Sequence, residues 1–274
     1  MSKPVTTLLA VGSLALLGGC ASDIGRMAST LDEYDSTIEL TSVPFYAQTT
    51  DQCGPAALAT ILNVTGVDTD PDALRALTYI PGRQGSLQTE LLSATRSYRR
   101  IPYPIDPTID SLLAELEAER PVLILQNLGT GITPIWHYAV VVGYLPEDRV
   151  FILRSGDKER HRIKTRAFLR SWKRADYWGF VALRPGDMPA VADAEKYLRS
   201  VAALETAGDV VTARKAYQAA TNHWPGNALA WLALGNASYA DGDLEAAQRA
   251  YEASVRADAN SVIAMNNLSQ VYLD

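Results

Sequence analysis

Two residues of this chain have the chemistry of a nucleophile and its base, and each stands where that chemistry can be enforced. Cys53 precedes Gly54, Pro55 and the run Ala56-Ala57-Leu58-Ala59-Thr60-Ile61-Leu62. That run is apolar on nearly all sides and predicts a helix at the centre of a fold, with the proline accommodated in its first turn. A thiol at the amino end of such a helix meets free N–H groups and the positive end of the helix dipole, and both favour thiolate over thiol. The base must be a histidine, and the chain has three. His223 lies in a separate helical region, and His161 stands among Arg160, Arg162 and Lys164, whose charges oppose an imidazolium. His137 remains. It opens the apolar run His137-Tyr138-Ala139-Val140-Val141-Val142-Gly143-Tyr144, which passes through the turn Pro146-Glu147-Asp148 into Val150–Leu153 as strand and hairpin. A histidine heading a central strand can be held rigidly against a helix end, as a thiolate–imidazolium pair requires. The competing readings are a buried structural thiol and a satisfied core histidine. One cysteine and one histidine fall short of the three or four ligands that zinc needs, so neither a metal nor any other cofactor is called for.

The elements that must position these residues fall into two parts. Residues 37–185 mix short helical and strand-like stretches, beginning with the alternating Thr37-Ile38-Glu39-Leu40-Thr41. Two prolines and a glycine in 184–189 break any regular element, which sets a linker at 186–192. From residue 193 to 274 the chain is alanine-rich and helical, with a spacing of 34: Tyr197, Gly208, Ala213 and Tyr217 recur as Trp231, Gly242, Ala247 and Tyr251. The pattern is similar to tetratricopeptide repeats, at 194–227 and 228–261 with a partial third at 262–274. The resemblance implies an all-α superhelix that binds a protein partner. Its acidic excess favours a basic or neutral one.

Residues 1–20 carry one lysine ahead of an apolar run from Val5 to Leu17. This is the layout of an export signal, too short for a membrane span of about 20 residues. Leu17-Gly18-Gly19-Cys20 resembles the lipobox of bacterial lipoproteins, which implies lipidation of Cys20, a membrane partner through the lipid anchor, and localisation in the bacterial cell envelope. Ala21 after the cysteine favours the outer membrane, facing the periplasm. The polar segment 21–36 is expected to be a tether. Only two cysteines occur, so once Cys20 carries lipid, Cys53 is an unpaired thiol in an exported protein, where cysteines normally pair. Catalysis is the commonest reason for such a thiol. With 25 Lys and Arg against 31 Asp and Glu, nothing suggests nucleic acid. Nine bases cluster between Arg154 and Arg174 and are expected to form the solvated face of an amphipathic helix around Phe168, Leu169 and Trp172.

Gln48, followed by Cys53-Gly54-Pro55-Ala56-Ala57 and then by His137 heading an apolar strand and hairpin, resembles the papain-like cysteine peptidases that cleave double-glycine leaders from bacteriocin precursors. The resemblance covers about 37–185. It implies an α+β domain in which an N-terminal helix bearing the cysteine packs on an antiparallel sheet, with the tetratricopeptide superhelix following. It also implies a thiol peptidase acting on a peptide or protein substrate. In that family a glutamine before the cysteine helps hold the oxyanion; Gln48 fits best and Gln52 is the fallback. The family's aspartate-proline after the hairpin, which orients the imidazole, is replaced here by Arg154-Ser155-Gly156-Asp157. Asp157, Ser155 or a backbone carbonyl is left to orient His137. The same departure supports an alternative, a peptidase-like lipoprotein of weak or no activity that serves as a binding scaffold.

Overall fold

The computed structural model describes residues 19–47 and 52–273, with side chains of the first helix from residue 23 onward. The residues before Gly19, and Gln48 with its neighbours to residue 51, lie outside them. A single sheet organises the first part of the chain. Its strands are β1 (Ile38–Glu39), β2 (Ile101–Pro104), β3 (Val122–Asn127), β4 (Trp136–Leu145), β5 (Val150–Ser155), β6 (Lys158–Lys164) and β7 (Gly179–Leu183). The order is β2-β7-β3-β4-β5-β6, all antiparallel, and β1 pairs with β4 beyond the point where β3 begins. β3 and β4 are buried almost throughout, as their unbroken Val, Ile and Leu demand of strands covered on both faces.

Helices cover the two faces with different residues of the same strands. On one face α2 (Cys53–Val64), α3 (Pro71–Thr78) and α4 (Gln88–Ser97) pack on Tyr138, Val140, Val142 and Ile152. On the other, α1 (Gly19–Glu33), α5 (Ile109–Glu117) and α6 (Thr165–Lys173) pack on Ala139, Val141, Phe151 and Leu153. This is the period-2 alternation of a strand, read out as two cores. α2 is buried from Gly54 to Leu62, matching its all-round apolar sequence.

Two expectations are corrected. The segment 21–36 is no tether: it is helical through Glu33, and Met27 and Leu31 are buried against the sheet domain. Ile24, Met27, Ala28 and Leu31 recur at helical spacing, and each large side chain fully buried contributes about 1.5–3 kcal/mol, enough to order an otherwise polar stretch. Nor is the basic run one solvated face. Arg154 is 5% exposed, and its guanidinium donates to the carbonyls of Val43 and Glu159. It thereby ties β5 to the chain that leads into the Cys53 segment. The amphipathic helix of that run forms as expected, with Phe168, Leu169 and Trp172 buried in α6.

The second part consists of α7 (Ala194–Thr206), α8 (Val210–His223), α9 (Ala228–Ala240), α10 (Leu244–Ala257) and α11 (Val262–Val271). Asp193, Asp209, Asn227 and Asp243 each cap a helix by accepting from the third N–H, each cap contributing about 1 kcal/mol. Gly235 lets α9 and α10 approach: a Cβ there would lie 2.4 Å from the Tyr251 ring. Tyr197, Val201 and Leu204 of α7 belong to the same core as Ile101 and Tyr103 of β2. The linker is pinned as well, with the Ala190 N–H on buried Glu115 and the Tyr103 hydroxyl on the Val191 carbonyl. The repeats are therefore docked on the β2 edge of the sheet.

Candidate active site

Cys53 opens α2 and is half-buried. It is not in a disulfide. The other end of α2 is fixed by Arg184, which follows β7 and donates to the carbonyls of Thr65 and Val64. Because β7 runs antiparallel to β3, and β3 to β4, Arg184 marks the end of the sheet where β4 finishes. The heads of α2 and β4 consequently lie at the opposite, common end, the end of the β3–β4 hairpin. His137 is the second residue of β4.

Tyr138 shows how near the two heads are. Its hydroxyl donates to the Ser86 carbonyl at 3.3 Å. Its phenol is held well above the usual tyrosine range, first by burial and then by the charge of Cys53. Ser86 in turn lies against the residue after the cysteine: a Cβ on Gly54 would fall 2.6 Å from its Oγ, so only glycine fits between nucleophile and loop. The Ser86 Oγ is buried without a hydrogen-bond partner among the described residues. Sequence reading singled out neither Ser86 nor Tyr138. The Gly54 that makes room for Ser86 was its one visible trace.

His137 projects on the other side of β4 from Tyr138, and its Nε2 lies 2.8 Å from the Ser155 Oγ. Ser155 closes β5, one strand over and diagonal to His137, the offset at which side chains on one face still touch. Of the orienting candidates, Ser155 makes the contact. Asp157 is exposed in the β5–β6 turn, and its charge acts on His161. Burial, and secondarily the charge of His161, hold the His137 imidazole below its usual value. Among its causes none is a carboxylate that would raise it. Gln52 immediately precedes α2 and is half-buried; Gln48 falls outside the described residues.

A family model described as the Peptidase_C39 like family matches residues 40–179. The chain belongs to that family. The match begins just after β1 and runs to the first residue of β7, and so includes both heads. A second model, described as tetratricopeptide repeat, matches residues 204–270, so this C39-like member carries a repeat region behind its peptidase domain. Among solved structures it is similar to a C39-like peptidase from Bacillus anthracis, at 16% identity over 54% of this chain and 98% of that one, with a TM-score of 0.44. It is also similar to a double glycine motif protease from an AMS/PCAT transporter in complex with the leader peptide, at 20% identity over 51% and 90%, TM-score 0.39. A third is the peptidase domain of Streptococcus ComA, a bifunctional ABC transporter of a quorum sensing pathway, at 19% over 51% and 96%, TM-score 0.41. Among curated proteins none matches the chain.

Proposed function

We propose that this C39-like domain is a thiol peptidase whose nucleophile is Cys53 and whose base is His137, oriented by Ser155. The observation that carries this reading is the shared end of α2 and β4, with a thiol heading one and an imidazole the other. With Nε2 donating its proton to the Ser155 oxygen, the neutral ring keeps its lone pair on Nδ1, the nitrogen a thiol proton would enter. This reading requires the thiol and the ring to meet over the end of β4, past Tyr138, rather than across a flat face of the sheet.

The reaction then runs as acyl transfer to sulfur. Nδ1 takes the thiol proton, the Cys53 sulfur bonds to the substrate carbonyl carbon, and the oxyanion is held by the Cys53 N–H and a glutamine, Gln48 before Gln52. The C–N bond breaks as the imidazolium protonates the leaving amine, leaving a thioester. Water, deprotonated by the ring, releases the acid and restores the thiol. The export signal, the lipid on Cys20, the envelope location and recruitment of a partner or substrate by the repeats belong to the same proposal. One observation favours the weaker scaffold alternative: a hydroxyl, not a carboxylate, holds the imidazole.

Iodoacetamide separates the two. A catalytic Cys53 alkylates fast at mildly acidic pH and loses that reactivity in His137→Ala, while Cys53→Ala removes peptide hydrolysis altogether. A Cys53 that alkylates at the rate of an ordinary thiol in both backgrounds would leave only the scaffold.

A further inference from the structure

Directly before His137 the chain carries a surface that the proposed chemistry does not use. The β3–β4 hairpin, residues 128–135, ends in apolar side chains turned to solvent: Ile132 is 96% exposed, Ile135 58% and Trp136 54%. The tip is built, not slack. Asn127 is buried, and its Oδ1 accepts from the N–H groups of Gly129 and Ile135, while its amide donates to the Thr130 carbonyl. Thr130 Oγ1 accepts from Thr133 N. Exposing isoleucine and tryptophan on a rigid convex tip costs solubility and calls for an apolar environment in function.

The neighbours of the tip say which one. Its base is clasped by Arg174, just past the end of α6, whose guanidinium donates twice to the Asn127 carbonyl. The same end of α6 holds the start of α1, through Lys173 on Asp23 and through Tyr177, whose hydroxyl donates to Asp23. Asp23 is three residues from Cys20, about 4.5 Å along a helix. The start of α1 is thereby held near the base of the hairpin. Arg170 and Arg174 are exposed on that side, as is Lys158, the first residue of β6.

We infer that the β3–β4 tip is a second membrane contact: Ile132, Ile135 and Trp136 enter the interfacial layer of the bilayer to which Cys20 is anchored. The inference rests on the lipid reading of Cys20 for its direction of approach. A lipid anchor at one residue leaves the orientation of the domain on the bilayer free, and a second contact fixes it. A tryptophan flanked by isoleucines and bases suits the headgroup boundary. Because Trp136 adjoins His137, docking sets the reactive end of the domain on the membrane surface, facing substrates held there.

The test uses the full chain, produced with its export signal, in phosphatidylglycerol-containing vesicles. Brominated lipids of graded depth quench tryptophan, and the difference between the wild type and Trp136→Phe isolates Trp136. Quenching by the shallow bromines is expected, and its loss in Ile132→Asp. The mass of the N-terminal peptide reads lipidation independently. Lipidated Cys20 with an unquenched Trp136 overturns the tip contact and keeps the anchor, whereas a quenched Trp136 without lipid does the reverse. If Trp136 is unquenched and Ile132→Asp lowers peptide hydrolysis in lipid-free solution, the tip contacts substrate, and the membrane inference is overturned.

Discussion

The Ser155 hydroxyl is the sharpest place to press on the proposed mechanism. It is the partner of His137 Nε2, at 2.8 Å, and its job on this reading is to fix tautomer and ring orientation. Ser155→Ala removes a neutral hydrogen bond of about 0.5–1.5 kcal/mol, so kcat/KM is expected to fall by about 2- to 13-fold at 1.36 kcal/mol per decade. That is far less than the roughly 10⁴-fold loss when a triad carboxylate is replaced. Ser155→Asp works in the other direction. A carboxylate beside the ring favours imidazolium by about 1 unit or more, opposing the burial that now holds His137 low. The acid limb of the rate profile is expected to move up by about that much. The assay is hydrolysis of a fluorogenic peptide from about pH 4.5 to 8, bracketing the ordinary imidazole value, with thermal melts to confirm folding. If Ser155→Ala leaves kcat/KM unchanged and Ser155→Asp leaves the acid limb where it was, Ser155 does not orient the base and the assignment fails.

Stability offers three further checks. Gly235→Ala would ordinarily gain about 1 kcal/mol in a helix, but here its Cβ meets the buried Tyr251 ring at 2.4 Å. A net loss of about 1–3 kcal/mol is expected in the melting temperature, and a gain would show that α9 and α10 pack less closely. Glu115 is 1% exposed and holds both the Arg120 guanidinium and the Ala190 N–H. Glu115→Ala should cost about 2–4 kcal/mol, below the full burden of a broken buried pair because Arg120 reaches solvent, and should speed proteolysis within 186–192. His137 and His161 are both held below the usual imidazole value by burial. The unfolded chain therefore binds more protons below about pH 6.5. Stability is full above that pH and falls as acid approaches the folded-state values. Urea midpoints of the double His137→Gln, His161→Gln variant should show a flatter slope from about pH 6.5 to 5.

The parts of the fold that were legible in the sequence were those where one residue type repeats a physical demand. The all-apolar run after Cys53, the valine-rich strand after His137 and the 34-residue spacing each admit one packing solution, and each takes it. What escaped were features decided by tertiary contact. α1 looked polar because its buried stripe is only four residues in a segment otherwise rich in Asp and Ser, and the sheet domain supplies the missing half of its core. Arg154 looked like one more surface base, since nothing local reveals that the Val43 carbonyl of a distant segment waits for it. The choice between Ser155 and Asp157 turned on the pairing of β4 with β5. Only the register puts one of them beside the imidazole.

The docking of the repeats changes how their role must be tested. Deleting 188–274 would be the natural way to ask whether they recruit a partner, but Tyr197, Val201 and Leu204 share a core with Ile101 and Tyr103. Losing three such side chains forfeits about 1.5–3 kcal/mol each, a large part of the 5–15 kcal/mol of a typical domain. A chain ending at Asp187 is expected to melt early and to lose hydrolysis for want of a stable sheet edge, whatever the repeats bind. Leu229, 62% exposed on α9, gives a cleaner handle. Leu229→Glu leaves that core intact, so it should reduce partner capture or turnover of a large substrate while leaving hydrolysis of a short peptide unchanged. Equal loss on short and long substrates would mean that the repeats act only by holding the β2 edge.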